Sequence, residues 1–133
     1  METKLAIVGS RSFTDYLTFE GVIDEICRKY RYNCSEIISG GAKGTDTLAE
    51  TYALKHKIPT KIFKPNWGLY GKSAGIIRNW EIINSCDVCV IFWNYISPGT
   101  KNDVALCEKL GKTFYIYNFL NNELKNNYQI KSK

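Results

Sequence analysis

The chain has 133 residues, of which 44% are hydrophobic and 23% are charged, and its formal net charge is +5. This composition excludes a disordered or low-complexity protein and fits one globular domain with a hydrophobic core. The 18 basic residues are scattered along the sequence, so the charge suits an anionic ligand without defining a face for a polyanion.

The N-terminal apolar run and the cysteines bear on where the protein works. The run in METKLAIVG is too short for the core of a signal peptide or for a membrane span. The five cysteines are an odd number, and the Cys86-x-x-Cys89 pair has no second pair or histidine cluster to complete a zinc site. We therefore expect reduced thiols that serve packing, no metal, no cofactor and no membrane contact. The expected location is the cytoplasm, or the host cytoplasm if the chain is viral.

Apolar periodicity predicts strands and helices that alternate along the whole chain. Strands are predicted over 4–9, 36–39, 60–64, 87–93 and 113–117, and helices over 16–32, 45–57, 73–86 and 101–110. The strand over 87–93 is uniformly apolar, which is typical of a strand buried on both faces of a parallel sheet. The alternation therefore predicts an α/β fold with a mainly parallel sheet flanked by helices.

Three local features complete this prediction. Thr47 and Glu50 have the spacing of a capping box in the second helix. Residues 118–133 are rich in Asn and Lys and are expected to form a polar tail with little core to join. In the third helix, the residues expected to face the core are Ile76, Ile77, Trp80 and Ile83.

Four polar segments follow the predicted strands, at 9–15, 40–46, 65–72 and 94–101. In a parallel sheet, ligands bind beyond the carboxyl ends of the strands, at the point where the strand order reverses. Two of the segments contain glycines and lead into helices, whose free N–H groups and dipole attract an anion. Arginine and lysine can add charge, and the aromatic residues of the third segment can stack on a base. Together the segments predict a pocket for a phosphorylated nucleoside.

Each of these features also has a purely structural interpretation. A glycine-rich turn can be a tight connection, and the sequence has neither a Gly-Lys-Ser/Thr P-loop nor a complete Gly-x-Gly-x-x-Gly motif. Asp46 can be an acid in a first helical turn, and Asp103 follows Thr100 at the spacing of a capping box. Trp67 and Tyr70 can cover the edge of the sheet. The coincidence of ligand-type residues in four loops at one sheet end favours the functional interpretation.

Five motifs appear in the order and spacing of a known family. They are VGSRSF, SGGAKGTDTLAE, PNWGLYGKSAGIIRN, CDVCVIFW and SPGTKNDVALCEKLGK, and they cover roughly residues 4–117. In these motifs the chain resembles the YspA-like branch of the SLOG superfamily, whose relatives include the LOG phosphoribohydrolases and the DprA DNA-processing proteins. The resemblance implies a single Rossmann-like, nucleotide-binding domain over residues 1–117. It also implies a ligand that is a nucleotide or derives from NAD or ADP-ribose, and a homodimer or higher homo-oligomer.

The resemblance also directs attention to particular side chains. The proposed phosphate site consists of Gly40, Gly41, Gly44 and Thr45, with Gly99 and Thr100 opposite. Asp46 would accept hydrogen bonds from ribose hydroxyls, while Arg11, Lys72 and Arg78 would balance the charge of the ligand. The other candidate ligand-binding residues are Gly9, Ser10, Ser39, Trp67, Asn79 and Ser97.

Whether the site is catalytic depends on one loop. The LOG enzymes use a Pro-Gly-Gly-x-Gly-Thr-x-x-Glu loop and an upstream arginine. Here Asp103 stands at the position of the glutamate and Arg78 resembles the arginine, whereas Ser97 and Pro98 replace the glycine-rich lead. We therefore expect sensing or sequestering of a ligand. The alternative is a phosphoribohydrolase that cleaves the N-glycosidic bond of a nucleoside monophosphate, with Arg78 and Asp103 catalytic. Single-stranded DNA binding is a third candidate, based on the charge of +5 and the aromatic residues.

Overall fold

A computed structural model describes residues 2–127 of the chain, in which six strands form one sheet. The strands are β1 Glu2–Gly9, β2 Asn33–Ser39, β3 Thr60–Ile62, β4 Val88–Trp93, β5 Thr113–Asn118 and β6 Glu123–Asn126. Their order across the sheet is β3-β2-β1-β4-β5-β6. The first five strands are parallel, and β6 pairs antiparallel with β5 at one edge. The predicted fold class, a Rossmann-like α/β domain with a mainly parallel sheet, is confirmed.

Helices cover both faces of the sheet. They are α1 Tyr16–Lys29, α2 Thr45–Lys55, the short α3 Trp67–Tyr70, a 3₁₀ turn Gly71–Ser73, α4 Ala74–Ser85 and α5 Pro98–Lys109. Alternate residues of β1 serve two separate cores, because successive side chains of a strand point to opposite faces. Leu5 and Ile7 pack with α1 and α2, whereas Ala6 and Val8 pack with α4 and α5. All six residues of β4 are buried, as its uniformly apolar sequence predicts.

Three local predictions are wrong. Helix α2 begins at Thr45 with Gly44 as its N-cap, so Thr47 lies inside the helix and cannot form a capping box with Glu50. The Thr47 hydroxyl instead donates to the carbonyl of Ala42 at 3.1 Å. In α4, Ile83 is buried as predicted, but Ile76 and Trp80 are 63% and 46% exposed, and Ile82 is buried in their place.

The third error concerns the predicted tail. Asn118 belongs to β5, and the turn that follows leads into β6, Glu123–Asn126, so the start of the predicted tail joins the sheet. Phe119 and Leu124 are partly buried against the core that faces α1 and α2. A short edge strand of polar residues has little apolar signal, which is why the sequence pattern does not reveal it. Residues 128–133 of the predicted tail lie outside the described residues.

The cysteines are free thiols, and Cys86, Cys89 and Cys107 are buried in the core between the sheet and helices α4 and α5. Burial raises the pKa of the Cys86 thiol to about 12, which keeps it protonated and unreactive. Within residues 2–127, no helix combines the length and the apolar character that crossing a bilayer requires.

The topology creates a crevice at the carboxyl edge of the sheet. From β1 the chain moves outward to β2 and β3, and then returns across the sheet to place β4 on the other side of β1. The connections after β1 and β4 therefore diverge toward opposite faces, and a space opens between them. Gly9 ends β1 at this point. A Cβ atom on Gly9 would overlap the carbonyl oxygen of Phe92 and would lie 2.8 Å from Oγ1 of Thr45.

Gly9→Ala should therefore destabilise the fold, because the new methyl group overlaps backbone that cannot move without disturbing the β1–β4 pairing. We expect the free energy of unfolding to fall by about 1–3 kcal/mol, the usual cost of overpacking. Gly21→Ala in α1 is the matched control, since a Cβ atom at Gly21 would meet nothing within 4 Å. That change should leave stability equal or higher by up to about 1 kcal/mol. Urea unfolding measures both, and a Gly9→Ala protein as stable as the wild type would contradict the prediction.

Candidate functional site

A cleft of about 530 Å³ occupies the crevice between the loops that follow β1 and β4. Its volume falls in the range of about 300–1,000 Å³ that is usual for small-molecule sites. Most of the residues predicted from the sequence line this cleft. They are Gly9, Ser10, Arg11, Asp46, Arg78, Asn79, Ser97, Gly99, Thr100 and Asp103.

The three glycines of the loop after β2 lie behind the cleft, where the protein's own atoms approach them. A Cβ atom on Gly40 would lie 2.5 Å from Nη1 of Arg78 and 3.0 Å from Oδ2 of Asp46. Gly44 has a φ of 69°, and a Cβ atom there would overlap the backbone carbonyl of Arg11. Gly41 has a φ of 70°, a conformation that side chains rarely adopt. These glycines thus shape the walls of the cleft.

Two further predicted residues hold this wall in place. Thr45 is fully buried, and its hydroxyl donates to the carbonyl of Ser10 at 2.9 Å, which ties the loop after β2 to the loop after β1. Ser39, at the end of β2, is also fully buried and does not line the cleft. Both residues therefore support the site from behind its surface.

The N-terminus of α5 opens directly into the cleft. Pro98 is the first residue of α5, and its N-cap Ser97 makes no capping hydrogen bond from its side chain. The backbone N–H groups of Gly99 and Thr100 belong to the first helical turn, so they have no partner within the helix. A Cβ atom on Gly99 would meet no atom within 4 Å, so the space in front of this helix end is open. Free N–H groups and a helix dipole make this a place for an anion.

The loop that leads into α5 is held by its own polar groups. Oδ1 of Asn94 accepts hydrogen bonds from the backbone N–H groups of Ile96 at 2.9 Å and Ser97 at 3.0 Å. The hydroxyl of Ser97 lies 3.0 Å from that of Ser10, across the mouth of the crevice. These bonds fix the start of α5 relative to the end of β1.

Arg78 supplies the positive charge on the opposite wall. Its Nη1 donates to the carbonyl of Gly40 at 2.8 Å, and its Nε donates to Oδ1 of Asn79 at 2.9 Å. No carboxylate among the described residues forms an ion pair with it within 4.0 Å. The guanidinium is therefore oriented by neutral groups and keeps donors for a ligand.

Two buried carboxyl groups complete the cleft. Oδ2 of Asp46 accepts from the backbone N–H of Ala42 at 3.0 Å. Asp103 is 6% exposed, and its Oδ1 has no hydrogen-bond partner among the described residues. Burial raises the pKa of both groups, that of Asp103 to about 7. The charge of Asp46 raises the pKa of Asp103 further, whereas Arg78 lowers it. Asp103 can therefore gain or lose a proton near neutral pH.

The capping-box interpretation of Asp103 is wrong. Helix α5 begins at Pro98, so Thr100 and Asp103 both lie inside it. Because a residue in the second turn cannot cap the helix, Asp103 is buried for another reason. It lies on the wall of the cleft, where Asp46 and Arg78 act on its charge.

Trp67 and Lys72 lie outside the cleft. Trp67 is exposed on α3, and Lys72 is exposed in the 3₁₀ turn that follows. Conversely, the cleft includes residues that the sequence prediction missed, among them Ala42 and Ile82. Helical spacing could have identified Ile82, because it lies four residues after Arg78 and thus on the same side of α4.

The fold and the cleft define a class of protein: an α/β domain with a Rossmann-like sheet and a site at its switch point. More specifically, the chain belongs to the YspA, cpYpsA-related SLOG family, whose family model matches residues 3–70, about half of the chain. Among curated proteins, none matches the sequence.

Two solved structures share the fold. One is DNA processing protein A from Helicobacter pylori, described for its single-stranded DNA binding mode, with 22% identity and a TM-score of 0.63. The other is DNA processing protein A (DprA) from Streptococcus pneumoniae, with 21% identity and a TM-score of 0.66. Each alignment covers 85% of this chain but only 64% and 49% of those chains, respectively. At this level of identity the likeness concerns the fold.

Asp103→Asn provides a test of the buried acid that needs no ligand. The folded protein holds a proton on Asp103 up to a pH of about 7, whereas the ordinary pKa is 3.8. At Asp103 the folded state therefore binds more protons than the unfolded state between these values, and the contribution of Asp103 to wild-type stability falls as the pH rises through this window. Asparagine has the size of aspartate but does not titrate. Between pH 4 and pH 7 the free energy of unfolding of the variant should therefore rise relative to that of the wild type by up to about 4 kcal/mol. Urea unfolding across this range measures the difference, and a constant difference would show that the carboxyl group is not buried as described.

Proposed function

We propose that the protein binds a nucleotide, or a ligand derived from NAD or ADP-ribose, in the cleft and acts by sensing or sequestering it. One observation carries the proposal. An open helix N-terminus, an arginine without an ion-pair partner and two buried carboxyl groups line the same cleft. Anion binding and hydrogen-bond acceptance are thereby combined in one site, and a phosphorylated nucleoside offers groups for both.

The phosphate of such a ligand would lie at the N-terminus of α5. The N–H groups of Gly99 and Thr100 donate there, and the helix dipole adds a partial positive charge. Arg78 borders the same cleft, and its remaining donors can contact a phosphate oxygen. Arg11 lies at the exposed rim, where it adds to the positive potential.

The ribose would lie against the carboxyl groups. Oδ1 of Asp103 is buried without a partner, which is costly unless a ligand supplies a donor. Ribose hydroxyls are such donors, and Asp46 can accept from a second hydroxyl. The free thiols fit a reducing compartment, so we place the protein in the cytoplasm.

Gly99→Val tests the phosphate site. The valine side chain would enter the open space in front of α5, because no atom of the described residues outside the chain neighbours and the helix backbone lies within 4 Å of the position of its Cβ atom. We expect binding of AMP and ADP-ribose, measured by isothermal titration calorimetry, to weaken about tenfold or more, since a 1.4 kcal/mol loss suffices. The circular-dichroism spectrum should not change.

Gly21→Val is the matched control, because it places the same side chain in open space on another helix. It should bind the ligands like the wild type. If the folded Gly99→Val protein keeps its wild-type affinity, the helix end is not the phosphate site.

The hydrolase alternative rests on Asp103. A buried carboxyl group whose pKa is raised to about 7 can act as a general acid or base near neutral pH. In its ionised form it can position water or stabilise an oxocarbenium-like centre while Arg78 holds the phosphate. Ser97 and Pro98 replace the glycine-rich lead of the hydrolase loop, and for that reason binding without turnover is our first proposal.

An assay of released base distinguishes binding from hydrolysis. The wild type is incubated with nucleoside 5′-monophosphates and NAD-derived compounds, and the free base is measured. We expect binding with little or no release. The opposite outcome is that the wild type releases base and that Asp103→Asn lowers the rate of release by about 100-fold or more. A fall of this size is usual when a charged group that stabilises the transition state is removed. In that case the protein is an enzyme. If the Asp103→Asn protein still binds the nucleotide, the substitution has removed hydrolysis and not binding.

Single-stranded DNA binding is the third candidate, motivated by the likeness to the Helicobacter pylori protein and by the net charge of +5. An interface with several phosphates would weaken steeply as salt rises. If only one nucleotide of the oligonucleotide enters the cleft, its binding would depend far less on salt. AMP would then compete with the oligonucleotide for the cleft. Titrating an oligonucleotide at several salt concentrations therefore distinguishes the two modes.

A further inference from the structure

Trp67 is a tryptophan whose ring has no partner of its own kind in the described part of the chain. It is 58% exposed on the short helix α3, and no described residue stacks on its ring or holds a cation over it. Trp93, by contrast, is 8% exposed and stacks on Tyr95 with ring centroids 4.3 Å apart. A single exposed apolar residue is common on protein surfaces. What Trp67 can do therefore depends on where it lies relative to the cleft.

The ring of Trp67 lies on the side of α4 that faces the cleft. Its Cη2 atom is 3.8 Å from the position of a Cβ atom on Gly75. Gly75 precedes Arg78 by three residues and Asn79 by four, so the three residues are neighbours on one side of the helix. Arg78 and Asn79 both line the cleft. Trp67 therefore borders the same wall, one helical turn closer to the start of α4.

The first turn of α4 lies at the mouth of the cleft. Helix α4 connects β3 to the parallel strand β4, so it begins at the carboxyl edge of the sheet, where the cleft opens. Ile82, seven residues after Gly75 and on the same side of α4, is 1% exposed and belongs to the deep end of the cleft. Apart from Trp67, no described residue outside α4 comes within 4 Å of the position of a Cβ atom on Gly75. The wall beside Trp67 is therefore open to a ligand.

Local contacts hold Trp67 in this place. Oδ1 of Asn66, the N-cap of α3, accepts a hydrogen bond from the backbone N–H of Leu69 at 3.1 Å. Gly71 ends the helix with a φ of 57°, a conformation that glycine adopts readily, and its N–H donates to the carbonyl of Trp67. The single turn is thus held at both ends. A ring that is already positioned loses little conformational freedom when a ligand contacts it.

We propose that the base of a bound nucleotide stacks on Trp67. This inference rests on the proposed nucleotide site, in which the phosphate lies at α5 and the ribose at Asp46 and Asp103. Val8 and Ile82 close the deep end of the cleft, and both are buried. The base, as the third part of the nucleotide, then extends toward the mouth and meets the exposed ring. Stacking of this kind accepts any base, because every base has a π-face.

The contact gives Trp67 a specific role, which is to distinguish a nucleotide from a bare sugar phosphate. Both ligands offer a phosphate to α5 and Arg78, and both offer hydroxyl groups to the buried carboxyl groups. Only the nucleotide has a base. Without Trp67, the residues that line the cleft would therefore bind the two ligands with similar affinity.

The test compares AMP with ribose 5-phosphate on the full chain by isothermal titration calorimetry. Removal of one aromatic ring that stacks on a base weakens binding by about 5- to 100-fold. The wild type should bind AMP about tenfold or more tightly than ribose 5-phosphate. Trp67→Ala should weaken the binding of AMP by about the same factor and leave that of ribose 5-phosphate unchanged. Trp67→Phe, which keeps an aromatic ring, should retain most of the affinity for AMP.

Trp80→Ala is the matched control. Trp80 is also an exposed tryptophan, but it lies five residues after Gly75, on a different side of α4, and it does not line the cleft. The Trp80→Ala protein should bind both ligands like the wild type. AMP should also quench the tryptophan fluorescence of this variant as it does that of the wild type, and it should quench the fluorescence of Trp67→Phe less.

Three results would overturn the inference, and they have different meanings. If the wild type binds AMP and ribose 5-phosphate equally, the base makes no contact, while the phosphate site stands. If Trp67→Ala weakens both ligands to the same extent, Trp67 supports the shape of the cleft and does not touch the base. If the wild type binds neither ligand, the proposed nucleotide site is itself absent. Should Trp67→Ala lose its native circular-dichroism spectrum, the wild-type comparison and Trp67→Phe still distinguish these results.

Discussion

The contact between Arg78 and Gly40 is the constraint on which the cleft depends. The guanidinium lies against the backbone of Gly40 and donates to its carbonyl at 2.8 Å, which connects α4 to the loop after β2. Any side chain at Gly40 would collide with Nη1 of Arg78 and approach Oδ2 of Asp46. A carbonyl holds the arginine, and no described carboxylate lies within ion-pair distance of it, although its charge opposes the raised pKa of both Asp46 and Asp103. The site thus has a fixed cation that is not consumed by an internal ion pair.

The two carboxyl groups make the cleft more selective for its ligand than the arginine alone would. Asp46 and Asp103 are both buried, and burial raises the pKa of each. A phosphate near Asp103 would raise that pKa further, since like charges disfavour ionisation, whereas a hydroxyl that donates to it would lower it. A ligand therefore fits best when its negative charge lies at α5 and Arg78 and its donors lie at the carboxyl groups. A nucleotide separates these two functions between its phosphate and its ribose.

The sequence predicts those features of the structure that depend on neighbouring residues along the chain, and it does not predict contacts between distant residues. The alternation of apolar runs predicts the parallel sheet, and the uniformly apolar β4 predicts burial on both faces. The strand order places the predicted loops together, so the cleft contains residues from three of them. By contrast, the sequence shows that Gly40 and Gly44 lack side chains but not what fills the space. In both cases it is another part of the protein, Arg78 or the backbone of Arg11.

Helical spacing fails at Ile76 and Trp80 for a similar reason. It places them on an apolar stripe with Ile83, but it cannot tell which members of that stripe meet the sheet, and of these three only Ile83 is buried. The same helix carries Arg78 and Asn79 to the cleft and Ala74 and Ile82 to the core, so α4 serves both.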